Sequence, residues 1–311
     1  MEFRVFIEPQ QGATYEQQLR VARQAEAAGY GAFFRSDHVT ATRRGGPPGP
    51  TETWVTLAGI ARETSSIRLG TLMTSATFRY PGLLAIQVAQ VDAMSGGRVE
   101  LGLGSGWFEP EHTAYGLPFP PTAERFARLA EQVEVITGLW STPDGQTFDY
   151  QGQHYQLKDS PALPKPVQPK IPLIMGGRGK RRTPELAARY CDEFNGAFTS
   201  PDHARELYDG VRRACERSGR DWSGITWSVA LTIVTGSSEA EIARRAAAGG
   251  WDPADLAERE LCGSPAQLAD KLGRYAGLGV GRVYLQFMDL DDLDHIDFVA
   301  AEIMPQFERN S

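Results

Sequence analysis

Cysteine, histidine and surplus positive charge are all scarce in this sequence, and each shortage removes a class of function. The 311 residues include only 3 cysteines. Cys191, Cys215 and Cys262 are odd in number, far apart and outside any CxxC spacing, so neither a disulfide framework nor a zinc ribbon is expected. The 5 histidines are dispersed, with no HExxH or paired ligand spacing, and no metal site is expected. Thirty-two Lys and Arg stand against 39 Asp and Glu, a net charge of −7. A duplex-binding surface needs a broad basic excess, so no nucleic-acid partner is expected. No apolar run is long enough to span a bilayer, and the opening MEFRVFIEPQ lacks a basic leader and an apolar core. The expectation is a cytoplasmic protein without a membrane partner.

What is present is an ordinary globular composition, 41% apolar and 23% charged, patterned as alternating strands and helices. Strand signals fall at Phe3–Glu8, Ala32–His38, Ile67–Thr74, Arg98–Leu103, Ile171–Met175, Glu193–Phe198, Thr226–Val234 and Arg282–Phe287. Thr14-x-x-Gln17 and Ser264-Pro-x-Gln267 are capping boxes, and Pro81 and Pro201 suit first helical turns. After the fourth strand the next helix is expected near Thr122. Eight such units predict an α/β protein, a (β/α)8 TIM barrel forming one domain over 1–311. The segment 142–169, with a hairpin about Gly152 and four prolines, reads as an insertion before strand five. An open doubly wound sheet is the alternative, but Ile7 to Gly12 carries no dinucleotide fingerprint.

In a barrel the chemistry lies at the C-terminal ends of the strands. Those ends carry Glu8, then Asp37-His38, Thr74-Ser75, Gly104-Ser105-Gly106-Trp107, Gly176-Gly177 and Gln286-Phe287. His38 can exchange a proton near neutral pH, or simply be a packed rim histidine. Glycines at 102, 104 and 106 would let a planar ring lie against backbone with Trp107 as a wall, or would merely bend the strand. Glu109, Glu111 and His112 add ionisable groups, of which at least two are expected at the surface. Gly176-Gly177 followed by Arg178, Lys180, Arg181 and Arg182 reads either as a phosphate seat at a helix N-terminus or as a plain turn with a solvated basic face. Trp107, Phe108, Phe198, Phe287 and the loop Thr40–Pro50 point to an apolar pocket for a small-molecule substrate.

These residues sit within longer similarities: RSDHV, LGTLMTSATFRYPGLLAIQVAQVDAMSGGRVELGLGSGW, PLIMGGRGKRRT with ARYCDEFN, and GSPAQLADKLGRYAGLGVGRVYLQF. Through them the chain resembles the bacterial luciferase-like superfamily, and more closely its oxidoreductases that use the deazaflavin coenzyme F420. The resemblance implies a ring lying across the strand ends and a cis peptide at Leu72-Met73 against one ring face. It places Asp37 and His38 on the ring, Ser75 and Gly104 to Gly106 lining it, and Gly176-Gly177 on the phosphate. Charge adds Arg178, Lys180 and Arg181 as partners of the acidic arm. The implied reaction is hydride transfer between F420 and an activated alkene, imine or carbonyl, with His38, Glu8 or Glu109 supplying the proton. An FMN-dependent monooxygenase and a non-catalytic flavin-binding relative are the alternatives, and a homodimer is the expected assembly. Sugar-phosphate oxidation is not expected, because Trp107 stands where such relatives carry a glutamate and their phosphate-holding lysines lack obvious counterparts.

Overall fold

The computed structural model describes residues 1–43 and 45–307; Arg44, within the loop Thr40–Pro50, and 308–311 lie outside the described residues. Eight parallel strands close on themselves: β1 (Glu2–Ile7), β2 (Ala32–Arg35), β3 (Arg68–Thr71), β5 (Val99–Gly104), β8 (Leu173–Gly176), β9 (Glu193–Ala197), β10 (Thr226–Val234) and β12 (Val280–Gln286). Closure runs from β9 to β10, where Asn195 faces Ser228, and from β12 to β1, where Tyr284 faces Arg4. The fold is therefore the expected (β/α)8 barrel. Two short strands extend ladders beyond the ring, β4 (Thr74–Ser75) beside β5 and β11 (Leu261–Cys262) beside β10.

Helices cover the outside: α1 (Tyr15–Ala27), α2 (Thr53–Glu63), α3 (Pro81–Ser95), α5 (Thr122–Ser141), α6 (Arg182–Tyr190), α7 (Pro201–Ser218), α10 (Pro265–Ala276) and α11 (Leu293–Glu302). Both capping boxes form, at Thr14 with Gln17 and at Ser264 with Gln267, each satisfying otherwise orphaned helical amides. Four α-helices were not read from sequence: α4 (Glu109–Ala114), α8 (Glu239–Ala248) with α9 (Pro253–Arg259) after β10, and α11 after β12. The helix expected near Thr122 is thus preceded by a shorter one. The segment 142–169 carries the hairpin β6 (Phe148–Gln151) and β7 (Gln156–Ser160), which pairs only with itself.

The barrel interior is layered. Its middle is apolar, with Phe6, Phe34, Leu72, Ile174, Ala230 and Tyr284 in one buried cluster. Beneath it, at the N-terminal ends of the strands, lies an ionic layer that strand patterning did not reveal. Arg4 donates to both Glu100 oxygens at 2.6 and 3.1 Å and to the Tyr284 hydroxyl at 3.0 Å. Tyr284 in turn donates to Glu193 at 2.7 Å, and Arg282 joins Glu193 to Glu2. Arg68 closes the layer on Glu100.

Burial alone would raise the Glu100 carboxyl, but the Arg4 guanidinium, aided by Arg68 and Arg282, outweighs it and holds the group below its ordinary 4.5. A depressed carboxylate contributes stability that is complete above the unfolded value and lost as pH falls through the folded one. Glu100→Gln is expected to cost about 3–5 kcal/mol, because it strands a buried arginine. Urea titrations at neutral pH measure that loss, and repeating them toward pH 3 should show the gap from the wild type narrowing. An undiminished gap would contradict the assignment.

Candidate active site

At the opposite end, the polar residues expected at the strand ends do converge, but several have different partners from those foreseen. His38 follows β2 and turns its Nδ1 to the carboxylate of Glu111, at 3.0 and 3.1 Å from the two oxygens. The same carboxylate accepts the Val39 amide at 3.0 Å. A carboxylate cannot donate, so His38 carries its hydrogen on Nδ1 and leaves Nε2 to the mouth. Trp107 and Phe108 stand edge-on to the imidazole at 5.4 and 5.9 Å.

Glu111 and His112 correct the expectation of surface exposure. They are 2% and 0% exposed, whereas Glu109 is exposed on the outer side of α4. The reason is the short helix α4, which the run WFEPEH does not announce. Once the turn forms, two successive side chains point inward to different strand ends. Charge and a histidine neighbour were the only signals in sequence, and they could not tell Glu109 from Glu111.

Asp37 is buried and fully engaged. It accepts the Ser75 amide at 3.1 Å and two nitrogens of Arg79 at 2.5 and 2.9 Å, while Arg79 also reaches Glu52. Asp37 thereby pins the end of β2 to the turn after β3. Glu8, half-buried at the end of β1, has its carboxyl pushed upward by burial, against the pull of nearby His38 and Arg43. Glu8 and His38 therefore share one corner of the mouth.

The Leu72-Met73 peptide is cis. Met73 crosses the mouth from β5 to β8: its Sδ lies 3.8 Å from where a Cβ on Gly104 would stand, and its Cε only 2.8 Å from one on Gly176. A side chain at Gly176 would collide with Met73 and with the Asn195 carbonyl, whereas one at Gly104 would begin in ordinary contact with Met73. Ser105 is half-buried, and Trp107 is 67% exposed as a projecting wall beside His38. Phe287, placed in the pocket by sequence, is instead 1% exposed and packed between Tyr30 and His295. Phe198 is the aromatic that does reach the barrel interior, 6.4 Å from Phe6, with a left-handed φ of 50°.

Gly177, at φ 134°, starts an exposed run through Arg178, Lys180, Arg181 and Arg182. Only glycine takes that φ readily. The run leads into α6, whose N-terminus has no side-chain cap. Its leading amides thus point into a basic, accessible turn. Arg178 folds back to donate to the Phe198 carbonyl at 2.6 Å, and Arg181 pairs with Glu185 at 3.2 Å. Lys180 and Arg182 are also exposed. Among the described residues no cluster of His, Cys, Asp or Glu could hold a metal ion, and no helix is long and apolar enough to cross a membrane.

A separate cleft of about 710 Å³ lies between α5 and the proline-rich linker, and neither His38 nor Gly176 lines it. Its lysines are engaged, Lys165 with the Leu139 carbonyl at 2.7 Å and Lys170 with Asp192. It offers volume without a reactive group.

Comparison with known proteins follows the geometry. Residues 1–254 match the family described as luciferase-like monooxygenase. An F420-dependent glucose-6-phosphate dehydrogenase from Microbacterium testaceum is 35% identical over 186 residues, 59% of this chain and 52% of that protein. One from Kineococcus radiotolerans is 34% identical over 206 residues, 66% of this chain and 58% of its own length. The chain thus spans little more than half the length of these curated relatives. Among solved structures, an F420-dependent secondary alcohol dehydrogenase in complex with an F420-acetone adduct superposes with a TM-score of 0.84 at 19% identity, covering 99% of both chains. A monooxygenase from Streptomyces bottropensis gives 0.80 at 20% identity, covering 99% of this chain and 100% of that one. At such identities the likeness is one of fold.

Glu111→Ala would leave the Val39 amide and the His38 Nδ1 without their buried acceptor, at a cost of about 1–3 kcal/mol. Denaturant unfolding reads the loss, and hydrogen exchange should show it concentrated at Val39 and α4. Unchanged protection there would refute the clasp.

Proposed function

The chain belongs to the luciferase-like monooxygenase family, and from that premise we propose that it is an F420-dependent oxidoreductase acting on a small organic substrate. The observation that carries the reading is the basic turn at Gly177–Arg182 and the imidazole of His38 on the same end of one barrel. The relatives at about 35% identity that are named for F420 support it. We read the chain as one barrel domain, with 142–169 as an insertion before β8.

The residues present fit such a cofactor. Gly104 and Gly176 carry no side chain where Met73 crosses the mouth, so a planar ring could rest on Met73, flanked by Ser75 and His38. The glycine turn and the uncapped helix α6 suit a phosphate, and Lys180, Arg181 and Arg182 suit the acidic remainder of its arm. Arg178 would first have to leave the Phe198 carbonyl. When bound, the deazaflavin supplies hydride chemistry at a ring carbon.

The chain's own residues do the rest. Glu111 holds His38 so that Nε2 can give or take the proton that accompanies hydride transfer. Glu8, its carboxyl raised by burial, can refill that proton from the same corner. Glu109, exposed on α4, is a weaker candidate for proton transfer. Trp107 and Phe108 shield the imidazole from water on one side. Because Trp107 occupies the position of a glutamate in sugar-phosphate dehydrogenases, we propose an activated alkene, imine or carbonyl acceptor rather than glucose 6-phosphate.

Fluorescence titration with F420 should saturate. His38→Ala should bind it within about threefold of the wild type yet reduce F420-linked turnover by about 10²–10⁴. Failure of the wild type to bind F420, with oxygen uptake in the presence of reduced FMN, would turn the reading toward the monooxygenase alternative. Binding without turnover on any acceptor would turn it toward a carrier.

We also propose a homodimer through α2 and α3. Helix α3 buries Leu84, Val88 and Val91 against the barrel yet leaves Leu83 and Ile86 exposed, with Val55 and Tyr80 exposed at the starts of α2 and α3. Light scattering should find a dimer that Leu83→Glu dissociates. A monomeric wild type would refute this.

A further inference from the structure

A chain of hydrogen bonds runs from Ser75 into the protein and ends at a buried imidazole. Ser75 Oγ lies 2.7 Å from Thr77 Oγ1, Thr77 Oγ1 lies 2.6 Å from His112 Nε2, and His112 Nδ1 lies 2.8 Å from the Phe108 carbonyl. His112 is fully enclosed, with Phe78 and Phe119 at 5.1 and 4.6 Å.

The direction of every bond follows from the last one. A carbonyl only accepts, so His112 carries its hydrogen on Nδ1. In the neutral ring Nε2 must then accept, and only the Thr77 hydroxyl can donate to it. Thr77 has spent its hydrogen and must accept from Ser75. Ser75 has therefore turned its own hydrogen inward.

We propose that Thr77 and His112 are positioning residues that make Ser75 a pure hydrogen-bond acceptor at the barrel mouth, complementary to an N–H on the edge of the bound ring. The proposal rests on the cofactor reading above and deepens it, because it names which chemical edge of the ring is read here. Gly106 is built into the same device. At φ 76° it lies so close that a Cβ would stand 2.8 Å from both Ser75 Oγ and Thr77 Oγ1. The glycine loop thus closes directly over the relay. Helix α4 then serves both sides of the mouth, with Glu111 fixing the hydrogen on His38 and His112 fixing the one on Ser75.

Two measurements test this. The first uses the protein without ligand: imidazole ¹⁵N NMR should show His112 as the neutral Nδ1–H tautomer, with the Nε2 signal moving in Thr77→Val and restored in Thr77→Ser. An Nε2–H tautomer would overturn the proposal. The second is a double-mutant cycle read by F420 titration. Ser75→Ala and Thr77→Val should each weaken binding by about tenfold, roughly one hydrogen bond. The double variant should be no worse than Ser75→Ala alone, because Thr77 acts only through Ser75. Additive losses, or a Thr77→Val variant with unchanged affinity, would overturn it. If the wild type does not bind F420, the functional reading fails and the NMR result alone decides the relay.

Discussion

The mouth of this barrel depends on one buried carboxylate. Glu111 reaches from the loop after β5 to the loop after β2 and takes up the His38 imidazole and the Val39 amide together. That clasp joins the segments bearing the imidazole and the glycine loop, beside the aromatic edges of Trp107 and Phe108. A polar group enclosed this way is tolerable because hydrogen bonds replace its water. The geometry that replaces the water also orients the imidazole.

The barrel beneath makes such an arrangement possible. Its lower end is closed by Arg4, Glu100, Glu193, Tyr284 and Arg282 in one connected network, and its middle by Phe6, Phe34 and Ile174. The upper end is left to small or flexible side chains, with Met73 lying across Gly104 and Gly176. A rigid floor under an adaptable top suits a planar ligand. Polar groups at the strand ends then inherit the stiffness of the layers below.

Much of the architecture was legible because it rests on local rules. Capping boxes at Thr14 and Ser264, prolines at first turns and apolar runs of strand length mark the repeating unit, and eight units imply closure. Three features were not legible, each for a physical reason. Strands of four to six residues are too short for period-two alternation to separate an interior Arg4 or Glu100 from a solvent-facing one. Helix α4 is a single short turn held by its inward side chains rather than by propensity, so the sides of Glu109 and Glu111 could not be assigned. Asp37 was seen as a ring contact, whereas its partner Arg79 lies 42 residues away in sequence and becomes a neighbour only through the barrel. Phe287 likewise stands at a strand end, but its ring turns outward to Tyr30.

Under the proposed function, a redox ring rests on Met73 beside His38 while its anionic arm is held at Gly177–Arg182. The most direct measurement is a calorimetric comparison of F420 with the same deazaflavin chromophore lacking its phosphate-bearing arm. Loss of the arm should weaken binding by at least about tenfold, and added salt should narrow the difference. Equal affinity for the two molecules would contradict it.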